Sequence, residues 1–371
     1  MGFAHLVLRN LLRARVRSGL TLIGISLGIT TIVALGVITA GFKSTAGAFV
    51  RSGGADFMVA QEGAADMSFS TIPEAAIPQI EAVAGVESVR GGLFHFTRVG
   101  SNPFFLVLGV LPGDLFEAGP PLVEGRYLAS DSPAEIVLGA QAAAALGVTV
   151  GDEVVIDERA FEVVGIVDSE VLWEQSGALA PLATVQDITN RREAVSVVHV
   201  SVVAGADPEA VARRIEDQVA GVVSIVTADD IGKVDSGFQI LDAANAAISG
   251  LAIVIGGIGV MNTMVMSIFE RTREIGVLRA VGWSGGRVLR MILIEALMLC
   301  LAAAAVGSVV GLLAVQAVMR VPTVRGLLEP SYESGVFVQA FLVAIGVALI
   351  GAVYPAIRAT RLTPMEALRY E

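Results

Sequence analysis

The chain has 371 residues, 54% of them hydrophobic and only 16% charged, with a formal net charge of −11 and a mean hydropathy of +0.73. Soluble domains carry about 25% charged residues, so the composition excludes an ordinary soluble globular protein, and the acidic balance gives no surface for nucleic acid. One cysteine, Cys300, excludes an intrachain disulfide and a cysteine metal cluster; the three histidines, His5, His95 and His199, are too scattered for zinc.

The first apolar run, 20–41, follows Arg9, Arg13, Arg15 and Arg17. Its length of about 22 residues exceeds the 7–15 of a signal-peptide core, which makes it an uncleaved anchor. Three more runs, at 243–268, 288–318 and 335–356, also reach the ~20 residues needed to cross a ~30 Å hydrocarbon core. A four-helix membrane protein is expected.

Between the first two runs, residues 42–240 hold 11 basic and 28 acidic residues, enough chain for a folded domain. Alternating or β-branched runs predict strands at 57–61, 104–110, 135–139, 153–156, 161–167, 195–203 and 223–227. Helices are expected at 72–86 and 207–222, each opening on a Pro-Glu pair and closing on Ala-Gly-Val. The expected domain is α+β, a strand–helix–strand unit split by a small β-rich insertion at about 120–190.

Orientation follows from the arginines. Residues 1–19 carry four basic groups and no acid, 267–290 five against two, and 356–371 three against two. Positive loops stay in the cytoplasm, so both termini and 267–290 are expected inside and 42–240 outside. The small residues Gly24 and Gly28, Gly256, Gly257 and Gly259, and Gly307 and Gly311 fall within the apolar runs and predict close helix packing.

Catalytic machinery is not legible. No G-x-x-x-x-G-K-[ST] phosphate loop occurs. An intramembrane protease would need paired acids, a Ser–His pair or zinc ligands at membrane depth. Glu295 is the one carboxylate inside a run and reads as a hydrogen-bonded structural group. The chain is expected to be a non-enzyme without metal or cofactor.

The most informative stretch is "ERTREIGVLRAVGWSGGRVLRMILIEALML", 270–299. Glu270–Arg273 and Arg271–Glu274 pair at i,i+3 and support a helix, which Gly282, Gly285 and Gly286 then interrupt. A short charged helix and a turn are expected at the inner membrane face.

This stretch resembles the signature segment of the FtsX-like ABC permeases, the family of MacB and of the lipoprotein-releasing LolC and LolE. The closing "YPAIRATRLTPMEALRYE" (354–371), the opening "LRNLLRARVRSGLTLIGISLGI" (8–29), and "GRYL" (125–128) with "LGAQAAAALGVTVGDEVVI…FEVVGIV" (138–167) are also similar to that family. The resemblance implies an amphipathic helix at 1–19, spans at 20–41, 241–268, 288–318 and 335–356, and a MacB-like extracytoplasmic domain at 42–240. It further implies a coupling helix and loop at 269–287, a short exterior loop at 319–334 and a cytoplasmic tail at 357–371. By position, Glu270, Arg271, Arg273, Glu274, Ile275, Gly276, Leu278, Arg279, Ala280 and Gly282 would contact an ATPase. Arg279 and Glu274 would make the polar contacts, and Ile275 and Leu278 the apolar ones. Arg358, Pro364, Glu366 and Arg369 would lie beside them. The partners implied are a separate LolD-like cytoplasmic ATPase, which binds ATP and Mg, and a second permease copy or paralogue. The substrate would be a lipoprotein, peptide, drug or lipid. The alternatives are a cell-division regulator that activates cell-wall hydrolases, a peptide-stress sensor and a membrane-anchored scaffold.

Overall fold

The computed structural model describes residues 15–100, 102–129, 132–233, 236–321, 324 and 328–361. The amphipathic segment at 1–14 and the tail residues Pro364, Glu366 and Arg369 lie outside them. Two compact units emerge: one of residues 1–38, 242–318 and 332–371, the other of residues 39–241 and 319–331.

Helices in chain order are α1 (Arg15–Val50), α2 (Ile77–Glu81), α3 (Pro112–Ala118), α4 (Ala140–Leu146), α5 (Leu172–Gln175), α6 (Leu182–Thr189), α7 (Pro208–Gln218), α8 (Ser236–Glu270), α9 (Thr272–Ala280), α10 (Gly285–Val318) and α11 (Ser334–Thr360). Among the described residues, α1, α8, α10 and α11 are long and apolar enough to cross a membrane. Each contains one of the expected runs and extends past it. At 1.5 Å per residue the 36 residues of α1 make a rod of about 54 Å, longer than a bilayer core.

The α/β unit is built on one mixed sheet. Its strands are β1 (Phe57–Gln61), β3 (Val86–Val99), β4 (Asn102–Val110), β5 (Leu122–Gly125), β6 (Glu135–Gly139), β7 (Glu153–Ile156), β8 (Arg159–Val167), β9 (Ala178–Pro181), β11 (Val197–Val202) and β12 (Val222–Ile225). A separate two-stranded pair joins β2 (Ile72–Pro73) to β10 (Ala194–Val195). The sheet order is β12-β1-β11-β3-β4-β9-β6-β8-β5, with β7 on β8. Strands from 57–110 and 197–225 fill one half and strands from 122–181 the other. They meet where β4 runs parallel to β9, from Val107 opposite Ala178 to Val110 opposite Pro181. The inserted stretch therefore continues its host's sheet instead of forming a sheet of its own.

Period-two alternation sends side chains to opposite faces, and here both faces are covered. Phe57, Val59, Phe105, Val107, Ile136 and Leu138 point into a core shared with Ile80, Val185, Val211 and Ile215 of the short helices. Their neighbours Met58, Ala60, Leu106, Leu108 and Val137 point into a second core, with Ala46, Phe49 and Val50 at the end of α1. Strands buried on both sides read as continuous apolar runs, which is why 57–61 and 135–139 stand out in the sequence.

Two expected helices are shorter than anticipated. In place of a helix over 72–86 there is the β2 bridge, a single 3-10 turn at Glu74–Ala76, and α2. Ile72 is drawn into a strand opposite Val195, and Gly85, at φ +102, turns the chain into β3. The other expected helix ends at Gln218: Asp207 accepts from the Glu209 N–H and caps its start, and Val222 is already in β12.

Phe49 seats the end of α1. Its ring is fully buried, with centroids 5.0 Å from Phe94, 5.6 Å from Trp173 and 5.1 Å from His199. His199 Nε2 lies 3.1 Å from the Phe49 carbonyl, and Arg90 Nη2 donates to the Gly53 carbonyl at 2.8 Å. Carbonyls at the end of a helix have no partner within it; His199 supplies one of the missing donors at Phe49, and Arg90 holds the chain just beyond the helix at Gly53. Ser52 donates to Glu174, whose other oxygen accepts from Ser169 at 2.6 Å.

Burial drives the His199 imidazole down to about 4, against the pull of the Phe49 carbonyl. An unfolded histidine protonates near 6.5, so between about pH 6.5 and 4 the unfolded chain takes up a proton that the folded one refuses. Stability is lost as pH falls through that window, by about 3 kcal/mol, and not further below it. His199→Gln retains an N–H donor but cannot titrate. Its unfolding midpoint should lack that acid slope relative to the unaltered chain; equal slopes in the two proteins would exclude His199 as the source.

Candidate functional site: the hairpin between the second and third long helices

Glu270 ends α8, and Arg271 leaves helical geometry at φ −114, ψ 16. The chain restarts at once: Thr272 Oγ1 donates back to the Ile268 and Phe269 carbonyls, both at 3.0 Å, and the Ile275 N–H reaches the Arg271 carbonyl at 2.9 Å. The resulting helix, α9, is nine residues long. Gly282 closes it at φ +98, with Gly282 N–H to the Arg279 carbonyl at 3.1 Å and Trp283 N–H to the Leu278 carbonyl at 3.0 Å. This crossed pair of bonds is the Schellman closure, whose left-handed residue favours glycine.

Three side-chain contacts tie the end of α8 and its joint with α9 to the other long helices. Arg17 Nη2 of α1 donates to Glu270 Oε1 at 2.7 Å. The Arg358 guanidinium of α11 sits 5.6 Å from the centre of the Phe269 ring, within cation–π range. Arg271 Nη1 reaches Glu295 Oε2 of α10 at 3.1 Å, while its Nε reaches Glu274 at 3.3 Å. Glu295 thus has a charged partner 24 positions away that sequence reasoning missed.

Facing decides which of the expected contact residues are on offer. Thr272, Ile275 and Gly276 are buried, Ile275 at 1% exposure. Arg271 is turned inward, its side chain 12% exposed. Leu278 and Arg279 are half-buried, with Arg279 Nη1 against Gly285. The outward side carries Arg273, Glu274, Ala280 and Gly282 together with two residues that were not anticipated, Val277 (46% exposed) and Val281 (78%). Ile275 therefore packs within its own chain, and the apolar surface presented is that of the two valines. The signal was available in principle: positions 273, 277 and 281 are spaced by four and share one helix face.

Residues 18–218, more than half of the chain, match the MacB-like periplasmic core domain, and residues 246–364 match the FtsX-like permease C-terminal domain. The chain belongs to the FtsX-like ABC transporter permeases with a MacB-like periplasmic core domain. It is 27% identical to the macrolide export ATP-binding/permease protein MacB of Rhodopirellula baltica, over 97% of this chain and 61% of that protein. It is 26% identical to an uncharacterized ABC transporter permease of Methanocaldococcus jannaschii, over 98% of this chain and 96% of the relative. The chain thus spans about three-fifths of the MacB relative's length. It superposes on the periplasmic region of MacB from Actinobacillus actinomycetemcomitans over 48% of its length and 91% of that chain, with a TM-score of 0.38 and 16% identity. The protein is a membrane permease with an extracytoplasmic domain, and its hairpin lies inside the FtsX-like match.

Small residues set the packing among this permease's long helices. A Cβ on Gly307 would stand 2.7 Å from the Ser26 carbonyl and 2.8 Å from Ile29 Cβ, and one on Gly311 3.0 Å from Val33. Ser26 and Thr30 hydroxyls donate to the Ala303 and Gly307 carbonyls across the same contact. Gly28, Gly256 and Gly257 also pack closely, against Ala252, Val347 and Ile350. Gly24 and Gly259 face open space, so close packing within the chain is not their role. Gly307→Ala should destabilise the helices by about 1–3 kcal/mol, read as earlier exposure of the buried Cys300 thiol to a maleimide on heating. Gly24→Ala should leave that temperature unchanged; a matching drop in both would refute the assignment.

Proposed function

We propose that this permease couples ATP hydrolysis, carried out by an ABC ATPase domain outside these 371 residues, to movement of its extracytoplasmic domain. The supporting observation is the hairpin: a short helix whose joint to α8 is bonded to α10 through Arg271–Glu295, next to an α8 end held by Arg17 at Glu270 and Arg358 at Phe269, with a polar and valine-bearing face left outward. A push on such a helix reaches α10 through the Arg271–Glu295 pair, whose side chains are only 12% and 5% exposed. The ATPase docks on Arg273, Glu274, Val277, Ala280 and Val281, and ATP and Mg belong to that ATPase. Two permease chains, identical or paralogous, work together. The substrate is handled at or outside the membrane surface and is a lipoprotein, peptide, drug or lipid; macrolide and pyoverdine export are named for relatives of this chain.

The reading requires both termini and the hairpin inside and residues 42–240 outside. With the native thiol buried, Val281→Cys and Phe69→Cys each introduce one exposed thiol. In intact cells a membrane-impermeant maleimide should label the Phe69→Cys protein and spare the Val281→Cys protein until the membrane is opened. The reverse pattern would defeat the proposal.

A further inference from the structure

We propose that the Arg271–Glu295 ion pair is the pin that fixes the angle of the α9 helix on α10, making Glu295 a positioning residue for ATPase coupling. The consequence for coupling rests on the function proposed above; the pin itself does not.

The joint between α8 and α9 has no backbone device of its own. Arg271 is neither glycine nor proline, yet it is the one position between the two helices, outside helical geometry at φ −114, ψ 16. Its N–H is taken up by the Ile268 carbonyl at 3.2 Å and its carbonyl by Ile275 at 2.9 Å. That arrangement closes a turn on each side but leaves the relative direction of the two helices to side chains. The Arg271 guanidinium ties three points together: its own backbone at the joint, Glu274 on α9 at 3.3 Å, and both oxygens of Glu295 on α10 at 3.1 and 3.4 Å. Arginine's fork of fixed donors suits such a bridge, where lysine's single ammonium would not.

Glu295 lies ten residues into α10, about 15 Å along its axis at 1.5 Å per residue. Its side chain is 5% exposed and that of Arg271 12%. An ionisable group held at that depth is costly unless paired. Buried ion pairs add little net stability over apolar replacements, and their best-attested role is to specify one arrangement over others. Removing Glu295 leaves Arg271 only its 3.3 Å contact with the half-exposed Glu274, and the guanidinium can swing out to water with it. The orientation of α9 is then no longer set. The other acids of the hairpin do not take Glu295's place on α10: Glu270 is held by Arg17, and Glu274 sits on α9 itself.

The test uses the full chain in lipid nanodiscs, with an ABC ATPase co-expressed from the same operon or genome, comparing Glu295→Ala, Glu295→Gln and the charge swap R271E/E295R. The first readout is amide hydrogen exchange across 272–280, which needs no partner. Exchange should quicken about tenfold in both single variants, which corresponds to about 1.4 kcal/mol of lost local stability, and return most of the way in the swap. The second is ATP hydrolysis: Glu295→Ala should keep the ATPase bound yet lose about tenfold in permease-stimulated rate, with recovery in the swap. Unreactive Cys300 certifies that the helices remain packed; if Glu295→Ala does not insert, the near-isosteric Glu295→Gln carries the comparison. Unchanged exchange in the single variants, or a swap no better than either of them, overturns the pin. If the unaltered chain binds and stimulates no ATPase while exchange behaves as expected, the coupling proposal fails and the pin stands.

Discussion

Val277→Asp is expected to release the ATPase from this permease while leaving the permease itself folded. Val277 is 46% exposed at the centre of the outward face of α9, between Arg273 and Val281 on successive turns. In the proposed complex that face is covered, so an aspartate there would bury a carboxylate against the ATPase without a partner. Central interface positions of this kind are worth about 2–4 kcal/mol, or roughly 30- to 1,000-fold in affinity. In the free chain the aspartate stays in water and costs within about 0.5 kcal/mol. Co-purification and stimulated ATP hydrolysis should both collapse, with Cys300 remaining unreactive. Ile275→Asp makes the contrast: at 1% exposure the new charge has nowhere to go inside the chain, and loss of folding is expected in its place. ATPase binding that survives Val277→Asp would remove α9's outward face from the docking surface.

The second large effect is expected at the far end of α1. Phe49→Ala empties the socket formed by Phe94, Trp173 and His199, and truncating a fully buried phenylalanine costs about 3–5 kcal/mol. For a unit of about 200 residues, each kcal/mol lowers the unfolding midpoint by roughly 2–4 °C. A fall of roughly 6–20 °C is therefore expected, followed by limited proteolysis of residues 42–240 in the full chain. Hydrolysis at the ATPase should continue, because nothing at the hairpin changes. A shift below about 2 °C would mean that Phe49 does not anchor α1 in the α/β unit.

How much of this could be read from sequence depended on whether the signal was local. The four spanning helices are long apolar runs and could not be missed. Strands β1, β6 and β7 were found to the residue because each is a short apolar or alternating run between turn residues. By contrast β3, at 14 residues the longest strand, was not anticipated. It is interrupted by Arg90, Gly91 and Gly92, and those glycines are dictated by neighbours: a Cβ on Gly91 would meet Ile77 and Val195 at 3.0 Å. The helix expected at 72–86 failed for a related reason, since Ile72 is claimed by a strand more than a hundred residues away.

At the hairpin, the existence of α9 and its glycine closure were legible, and its facing was not. Ile275 and Val277 are equally apolar and two positions apart, so they point to nearly opposite sides of a helix. Only the packing of the long helices says which is inside. The Arg271–Glu295 pair is hidden in the same way: each residue has a reasonable local explanation, one as a surface charge and the other as a lone buried acid, and the distance between them is what joins the two.

The most direct measurement of the central claim is hydrogen exchange in the extracytoplasmic domain of the permease–ATPase complex in nanodiscs, with and without ATP and Mg. If the chain transmits work from the hairpin outward, exchange around Phe49, β1 and β11 should change when the ATPase turns over, and the change should vanish in the Val277→Asp protein. Steady hydrolysis of ATP with identical exchange across residues 42–240 in every state would contradict it.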